Sequence, residues 1–593
     1  MCGIVGYIGE KGASPILYEN LKRLEYRGYD SCGIASLENK IHLKKDIGMV
    51  SEIERKIDLT SLPGKIGIGH TRWATHGGVT KENAHPHFDC TGKIAIVHNG
   101  IVSNFSDLRR SLTKKGHVFK SETDSEIIAH LIEEKYSGDL EAAVRDALSE
   151  ILGTYALLVL SSREPDRIIC ARNESPLILG IGDGEMHIGS DISSFLRFTK
   201  KAVPLDEMEY AVVKKEGYEI KSLSTGKKLK KDILEIDWSE EVAKKDGYAH
   251  FMLKEILGQP KTVINSLNVY PEDISRLARM VGDADRVYLC AAGTSLHAAM
   301  LAEYWFSSLC KKVVISLDSS ELQNKGVIDK NTLVIGVTQS GETYDTLSAM
   351  RYAKDRGAKT AAIVNVAGST AARLADHAVL LGCGIEISVC ATKTFTSQGV
   401  ILLRTALELG KQLGIDVSKI EKELLKLPDY LETTLMLQKE IEEISKRHLT
   451  PKNYIYIGRG INLPSALEGA LKLKEITYHH AEGMSGGMLK HGTISLIDND
   501  MRVIAIVPAS GENRARAKSN IHEIKARVGT IICITSGGPI EACDASIVAP
   551  ECDELVSPLV FAPIYQLMAY HTAVRLKRNV DRPRALAKSV TVE

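Results

Sequence analysis

Long hydrophobic runs are missing from this sequence: nothing approaches the roughly 18 apolar residues that a membrane-spanning helix needs. The start, Met-Cys-Gly-Ile-Val-Gly-Tyr, has no basic segment ahead of an apolar one. A signal peptide is therefore not expected, and the chain reads as cytoplasmic. Net charge is missing as well. Lys plus Arg number 75, as do Asp plus Glu, so no global field favours nucleic acid or an anionic membrane, and neither is expected as a partner. The eleven cysteines include no Cys-x-x-Cys pair. Without such pairs, or a His, Cys and carboxylate cluster at ligand spacing, neither a zinc ribbon nor a disulfide framework is expected, and no metal or cofactor. Ten cysteines read as small buried hydrophobes. Cys2 is the exception.

What is present is length. The chain has 593 residues, too many for one hydrophobic core, which predicts roughly three to four domains. Residues 2–237 mix short apolar strands, at 66–69, 94–98 and 155–160, with helical patterns. One such pattern, 125–134, follows the polar start Ser121-Glu122-Thr123-Asp124. Residues 238–247 turn charged and apolar-poor (Glu240, Glu241, Lys244, Lys245, Asp246) and read as a linker. Beyond them the pattern is strand, turn, helix, strand, with continuously apolar strands, the mark of a doubly wound α/β domain. It also repeats. Residues 287–293 and 454–460 are each a strand ending in glycine; 333–338 leads to Ser340-Gly341-Glu342 as 503–507 leads to Ser510-Gly511-Glu512; third strands follow at 361–365 and 530–535. Two tandem copies are expected, 248–447 and 448–593, with a charged helical connector over 425–447.

Cys2 becomes the first residue once the initiator methionine is removed. Its thiol then sits beside a free α-amine of pKa about 7.7–8.0 that can take the thiol proton. Polar clusters accompany it: Arg27-Gly28-Tyr29-Asp30-Ser31, His70-Thr71-Arg72-Trp73-Ala74-Thr75-His76-Gly77, Asn83-Ala84-His85-Pro86-His87 and His98-Asn99-Gly100. Asn99-Gly100 after a strand reads either as a hairpin turn or as an amide and a backbone N–H offered to an oxyanion. Arg72 and Asp124 are a cation and an anion suited to a free amino acid's carboxylate and ammonium, or simply a surface ion pair. Together these motifs resemble the glutaminase domain of the N-terminal-nucleophile amidotransferases over nearly all of 2–237. The resemblance implies a four-layer α/β/β/α fold. It also implies Cys2 as nucleophile, Asn99 and Gly100 as oxyanion hole, Arg72, Thr75, His76 and Asp124 around glutamine, and Trp73 gating the ammonia released.

Farther on, Thr338-Gln339-Ser340-Gly341-Glu342-Thr343 follows a buried strand and opens a helix, and Gly293-Thr294-Ser295 repeats the arrangement. Each is an ordinary N-cap or a phosphate cradle, where orphan N–H groups and the helix dipole coincide. Glu468, Lys472, Glu475 and His479 fall at steps of four, three and four, which predicts one polar stripe on a helix. It reads either as a solvated ladder or as an acid/base array. Lys490-His491-Gly492 and a tail with Lys588 complete the set. This half resembles the tandem sugar-isomerase domains of the glutamine–fructose-6-phosphate aminotransferase family, two α/β/α doubly wound domains, so the resemblance spans the chain. It implies an isomerizing aminotransferase that makes glucosamine 6-phosphate and glutamate from fructose 6-phosphate and glutamine, the first step of hexosamine formation, with an ammonia channel joining two active sites. By that resemblance Thr294, Ser295, Thr338, Gln339, Ser340, Thr343, Val389 and Ala587 hold the sugar phosphate. Lys588 forms a Schiff base, Glu475 moves a proton between C1 and C2, Lys472 assists, and His491 arrives from a neighbouring subunit of a homodimer. Thr338 stands where the family motif has serine, keeping the hydroxyl. Ala292 replaces a cysteine, and Met488 a glutamate. The rival readings are the same architecture acting on another ketose phosphate, and a phosphosugar-binding regulator without catalysis; the presence of Cys2, Glu475 and Lys588 argues against the latter.

Overall fold

The computed structural model describes residues 2–25, 28–73, 77–236, 245–527 and 529–590. Of the expected linker, 238–244 lies outside the described residues. The chain divides into two compact units, Met1–Glu241 with Ser589–Glu593, and Val242–Lys588.

In the first unit, strand alternation explains the layers. Successive side chains of a strand point to opposite faces. Along Gly3–Ile8, Ile4 and Ile8 join one core cluster, whereas Val5 and Tyr7 join another. Ile94–Val102 divides likewise, with Ala95 and Val97 on one face and Ile94 and Ile96 on the other. The cluster holding Ile4, Ile68, Val97 and Leu158 is the seam between an eight-stranded and a seven-stranded sheet, both antiparallel. Helices cover the outer faces: Ala13–Leu24 and Val50–Ile57 on one sheet, Glu126–Lys135 and Leu140–Glu150 on the other. Leu17, Leu21 and Leu24 of the first helix are fully buried, at about 1.5–3 kcal/mol each. The result is the α/β/β/α arrangement.

The second unit carries two five-stranded sheets with all strands parallel. In space the first runs Ile315–Asp318, Arg286–Ala291, Thr332–Thr338, Lys359–Val364, His377–Leu380. The second runs His480–Ser485, Asn453–Gly458, Met501–Val507, Thr530–Ser536, Ala545–Ala549. Both have the order 2-1-3-4-5, the repeat expected from sequence. Such sheets bind ligands outside the strands' carboxyl ends, where the order reverses, here between the first and third strands. One apolar cluster, with Trp305, Phe395, Leu559 and Phe561, spans both copies. Helices Lys393–Gln412 and Ser557–Arg575 are buried nearly all round, and the second is apolar on almost every face, as a buried helix tends to be. They approach closely at Gly399, where a Cβ would lie 2.5 Å from Leu559 Cδ2. The connector forms two helices, Leu427–Met436 and Gln438–His448, and contributes Leu427, Leu431 and Ile441 to that core.

Three expectations are corrected. Asn99 and Gly100 are no hairpin turn: they lie inside the strand Ile94–Val102, paired to Ala156 and Tyr155. His479 is not on the polar helix stripe, because the helix Leu463–Thr477 ends in a left-handed Tyr478 and His479 stacks on Tyr454 instead. Cys90 is exposed and Cys543 half-buried, rather than buried hydrophobes.

Candidate active sites

In the first unit, pairing of Gly3 with Thr71 sets Cys2 beside the end of strand Ile66–Arg72. The Trp73 N–H donates to Cys2 Sγ at 3.2 Å. Burial leaves the thiol pKa raised, against the opposing pull of that N–H and the Arg72 guanidinium, two partners that favour the thiolate. The seven-stranded sheet supplies Asn99, whose Nδ2 donates to the Cys2 carbonyl oxygen at 3.0 Å. Its Oδ1 lies 2.9 Å from His70 Nε2. An amide oxygen only accepts, so His70 must carry its proton on Nε2, and this fixes which end of Asn99 faces Cys2. Burial drives the His70 pKa down to about 3, which keeps the ring neutral. Gly100 has φ +134°, and a Cβ there would lie 2.0 Å from the Thr154 carbonyl oxygen, so only glycine holds this position.

Arg72 is buried, and its guanidinium donates to the carbonyls of Gly78 at 3.0 Å and Gly77 at 3.2 Å. Asp124, also buried, accepts the Val102 N–H at 2.8 Å. Trp73 meets Tyr29 edge-on at 5.5 Å. Thr75 and His76, and Arg27 of the Arg-Gly-Tyr-Asp cluster, lie outside the described residues. A thiol that accepts a backbone N–H, beside an oriented amide and a glycine no other residue could replace, is equipped for acyl transfer.

In the second unit, Glu468, Lys472 and Glu475 share one face of helix Leu463–Thr477, and the face is not solvated. Glu468 and Lys472 are wholly buried. Lys472 Nζ lies 2.6 Å from Glu475, 3.3 Å from Glu468, 2.8 Å from Thr294 Oγ1 and 3.1 Å from the Ala391 carbonyl oxygen. Burial pulls the Lys472 pKa down, but Cys390 and the two carboxylates hold it well above its ordinary value. His297 Nδ1 closes the array at 2.7 Å from Glu468. The Thr294 hydroxyl, which accepts from Lys472, also donates to Glu468 at 3.1 Å.

Segment 388–391 ties this array to the tail. The Lys588 ammonium donates to the Ser388 carbonyl oxygen at 2.7 Å and to the Glu386 carboxylate. The Cys390 thiol donates to Glu475 at 2.9 Å, and the Ala391 carbonyl reaches Lys472. The Val389 N–H donates to the Asp581 carbonyl at 3.0 Å. The Glu386 side chain has no exposed surface; burial raises its pKa, but Lys588 and the Thr392 N–H outweigh that and hold it low. Its neighbour Glu255 is pushed up to about 8 by burial and then by Glu386. Two adjacent carboxylates thus take different protonation states near neutral pH.

The reversal point of the first sheet carries the hydroxyl loop. Thr338 Oγ1 and Thr343 Oγ1 are 3.1 Å apart, Gly341 has φ +69°, and the Ser340 hydroxyl accepts the Glu342 N–H at 3.1 Å. Thr343 stands at the N-cap position of helix Tyr344–Asp355 without a side-chain capping bond. Asn365 connects this loop to the Lys588 side, donating its N–H to Gln339 O at 3.1 Å and its amide to Gly384 O at 2.7 Å. Ser295 Oγ accepts from Gln398 at 2.9 Å. Ala587 is half-buried next to Lys588. His491 is not part of the array: it is exposed after the short turn Met488–Lys490.

Cys390, His297, Glu255 and Glu386 were not foreseen. Only Glu386 had a visible signal, as the single charged residue between His377 and Lys393.

Residues 70–197 match the family described as glutamine amidotransferase domain, and 280–407 and 449–576 each match the SIS domain. Fold and sites thus define a glutamine amidotransferase fused to a pair of sugar-isomerase domains. The chain is 54% identical over 604 residues to the glutamine–fructose-6-phosphate aminotransferase (isomerizing) of Methanococcus maripaludis, with all of both chains covered. It is 48% identical over 599 residues to that of Pyrococcus horikoshii, again with full coverage. It belongs to the glutamine–fructose-6-phosphate aminotransferase family. Among solved structures, the C-terminal domain of glucosamine-fructose-6-phosphate aminotransferase from Francisella tularensis matches 57% of this chain and 99% of that one, at 33% identity and a TM-score of 0.54.

Proposed function

We propose that the chain makes D-glucosamine 6-phosphate and L-glutamate from D-fructose 6-phosphate and L-glutamine. The observation that carries this reading is segment 388–391, whose Ser388, Cys390 and Ala391 contact Lys588, Glu475 and Lys472 respectively, in a chain that also carries the Cys2 site. The Cys2 thiolate attacks the glutamine Cδ, and Asn99 with the Gly100 N–H stabilises the oxyanion. Ammonia leaves, and water hydrolyses the thioester to glutamate. Arg72, Trp73 and Asp124 line the glutamine pocket. The Lys588 amine attacks C2 of the open-chain ketose and expels water as the imine forms; ammonia then displaces the lysine, leaving nitrogen on C2. Glu475 takes a proton from C1 and delivers one to C2, with Lys472 holding its carboxylate, and the C1 hydroxyl becomes the aldehyde. Thr338, Gln339, Ser340 and Thr343, with Ser295, bind the phosphate. His491 comes from the second copy of a cytoplasmic homodimer and assists ring opening. The test is mass spectrometry of the product from fructose 6-phosphate and amide-labelled glutamine, with a second ketose phosphate in competition. Label in a hexosamine phosphate is expected. Label only in free ammonia, or preference for the competitor, overturns the reading.

A further inference from the structure

Away from both catalytic arrays, the first unit gathers four side chains from three separate stretches of the sequence. Cys90 lies in the turn before strand Ile94–Val102, His117 follows helix Phe105–Lys114, and His130 and Glu133 sit three residues apart on helix Glu126–Lys135. Cys90 Sγ is 3.6 Å from His117 Nδ1 and 3.3 Å from His130 Nδ1. The two Nδ1 atoms are 3.4 Å apart. Glu133 Oε2 lies 3.3 Å from His117 Nδ1 and 3.7 Å from His130 Nδ1. The expectation of no ligand cluster thus holds for the linear sequence but not for the fold, where these four ligand atoms lie within 4.8 Å of one another.

We propose that Cys90, His117, His130 and Glu133 form a structural zinc site. Zinc–sulfur bonds of about 2.3 Å and zinc–nitrogen or –oxygen bonds of about 2.0–2.1 Å, at tetrahedral angles, put S···N edges at about 3.5–3.6 Å and N···N and N···O edges at about 3.3–3.4 Å. Five of the six edges follow that tetrahedron within a few tenths of an ångström, and the sixth, from Cys90 Sγ to Glu133, lies within 4.8 Å. Both imidazoles turn Nδ1 inward and Nε2 toward a carboxylate: Glu134 lies 3.3 Å from His117 Nε2, and Glu126 lies 3.6 Å from His130 Nε2. That is the orientation outer carboxylates impose on zinc-bound histidines. The Val118 N–H approaches Cys90 Sγ at 3.5 Å, and the Cys90 N–H donates to Glu133 at 3.0 Å. A thiolate and a carboxylate balance the divalent charge, two neutral imidazoles complete the set, and the thiol proton is released on binding. One thiolate among nitrogen ligands favours zinc over magnesium or calcium. Four protein ligands leave no position open for substrate, so the ion is structural. It joins the turn before the strand of Asn99 to the segment that leads to Asp124.

The test uses the full-length, tag-free protein purified without chelator. One zinc per chain is expected by elemental analysis, with Cys90→Ser and His117→Ala each losing most of it and Cys543→Ser keeping it. Chelated wild-type protein loaded with Co2+ should show a thiolate-to-cobalt charge-transfer band with tetrahedral d–d absorption, and zinc should raise the melting temperature of the chelated wild type but not of Cys90→Ser. Undiminished metal in Cys90→Ser and His117→Ala would overturn the site. So would a wild-type chain that carries no zinc and, after chelation, shows no cobalt–thiolate band. The spectrum is read on wild-type protein, so poor folding of a variant does not decide the matter.

Discussion

The Lys588 ammonium is seated on Glu386, a carboxylate with no exposed surface, which itself accepts the N–H groups of Thr392 at 2.9 Å and Thr394 at 3.2 Å. Before it attacks a carbonyl, an ammonium must lose a proton, and Glu386 is the acceptor in contact with it. Glu386→Gln should therefore lower aminotransferase kcat about 10²–10⁴-fold, the usual worth of a positioned acid/base group, while glutamine hydrolysis persists. Borohydride reduction with fructose 6-phosphate should attach the sugar to Lys588. Lys588→Arg should give neither adduct nor product, because a guanidinium keeps its proton. An adduct on Lys472 or Lys490, or near-normal synthesis by either variant, contradicts this.

Cys2→Ala should abolish glutamine hydrolysis and glutamine-dependent synthesis, yet leave isomerisation of the sugar phosphate. The nucleophile and the lysine belong to different compact units, and only the acyl transfer needs the thiol. Glutamate release at a normal rate by Cys2→Ala would show that another nucleophile serves.

Lys472 and Glu475 should separate stability from chemistry. Lys472 stands between two carboxylates with no exposed surface of its own. Replacing it by methionine leaves buried charge uncompensated, at a cost of about 3–5 kcal/mol, read as a fall in the denaturation midpoint. Glu475→Gln keeps the volume and should hold that midpoint nearly unchanged while synthesis falls about 10²–10⁴-fold. Equal loss of stability in both variants would mean that Glu475 is a structural partner rather than the proton carrier.

The parts of these sites that could be read from sequence are those in which local rules and chemistry agree. Thr338 to Thr343 follow an apolar strand and open a helix; Glu468, Lys472 and Glu475 keep helical spacing; Cys2 stands at the start. Residues joined only by tertiary packing gave little or no local sign. Glu386 meets Lys588 across about 200 residues of chain, and Cys390 reaches Glu475 across about 85. The Cys90 cluster draws on a turn, a loop and a helix. His479 misled because periodicity does not reveal where a helix stops; Tyr478 takes left-handed geometry and ends the stripe.

The glutaminase unit should lose stability in mild acid, through four buried histidines. His70 and His85 stack at 4.1 Å, His87 meets His85 edge-on at 4.4 Å, and His98 lies 2.8 Å from Ser125 Oγ. Burial, first of all, lowers the pKa of each: His70 to about 3, His85 and His87 well below the ordinary 6.5, and His98 downward. In the folded chain they stay neutral where an unfolded chain would protonate them, so below pH 6.5 the unfolded state binds more protons and stability falls with pH. The contribution is fully present above about 6.5 and is lost progressively as pH drops toward the folded values. Each proton costs about 1.4 kcal/mol per pH unit once the unfolded ring is fully charged. Denaturant unfolding followed by Trp73-region fluorescence at pH 7.5 and 5.5 should show a loss of several kcal/mol for this unit. His87→Gln, which removes one titrating ring and leaves an amide near Thr123 Oγ1, now 3.1 Å from His87 Nε2, should make that pH dependence shallower by about one proton. A flat profile between pH 7.5 and 5.5 would mean that these rings are protonated in the fold after all.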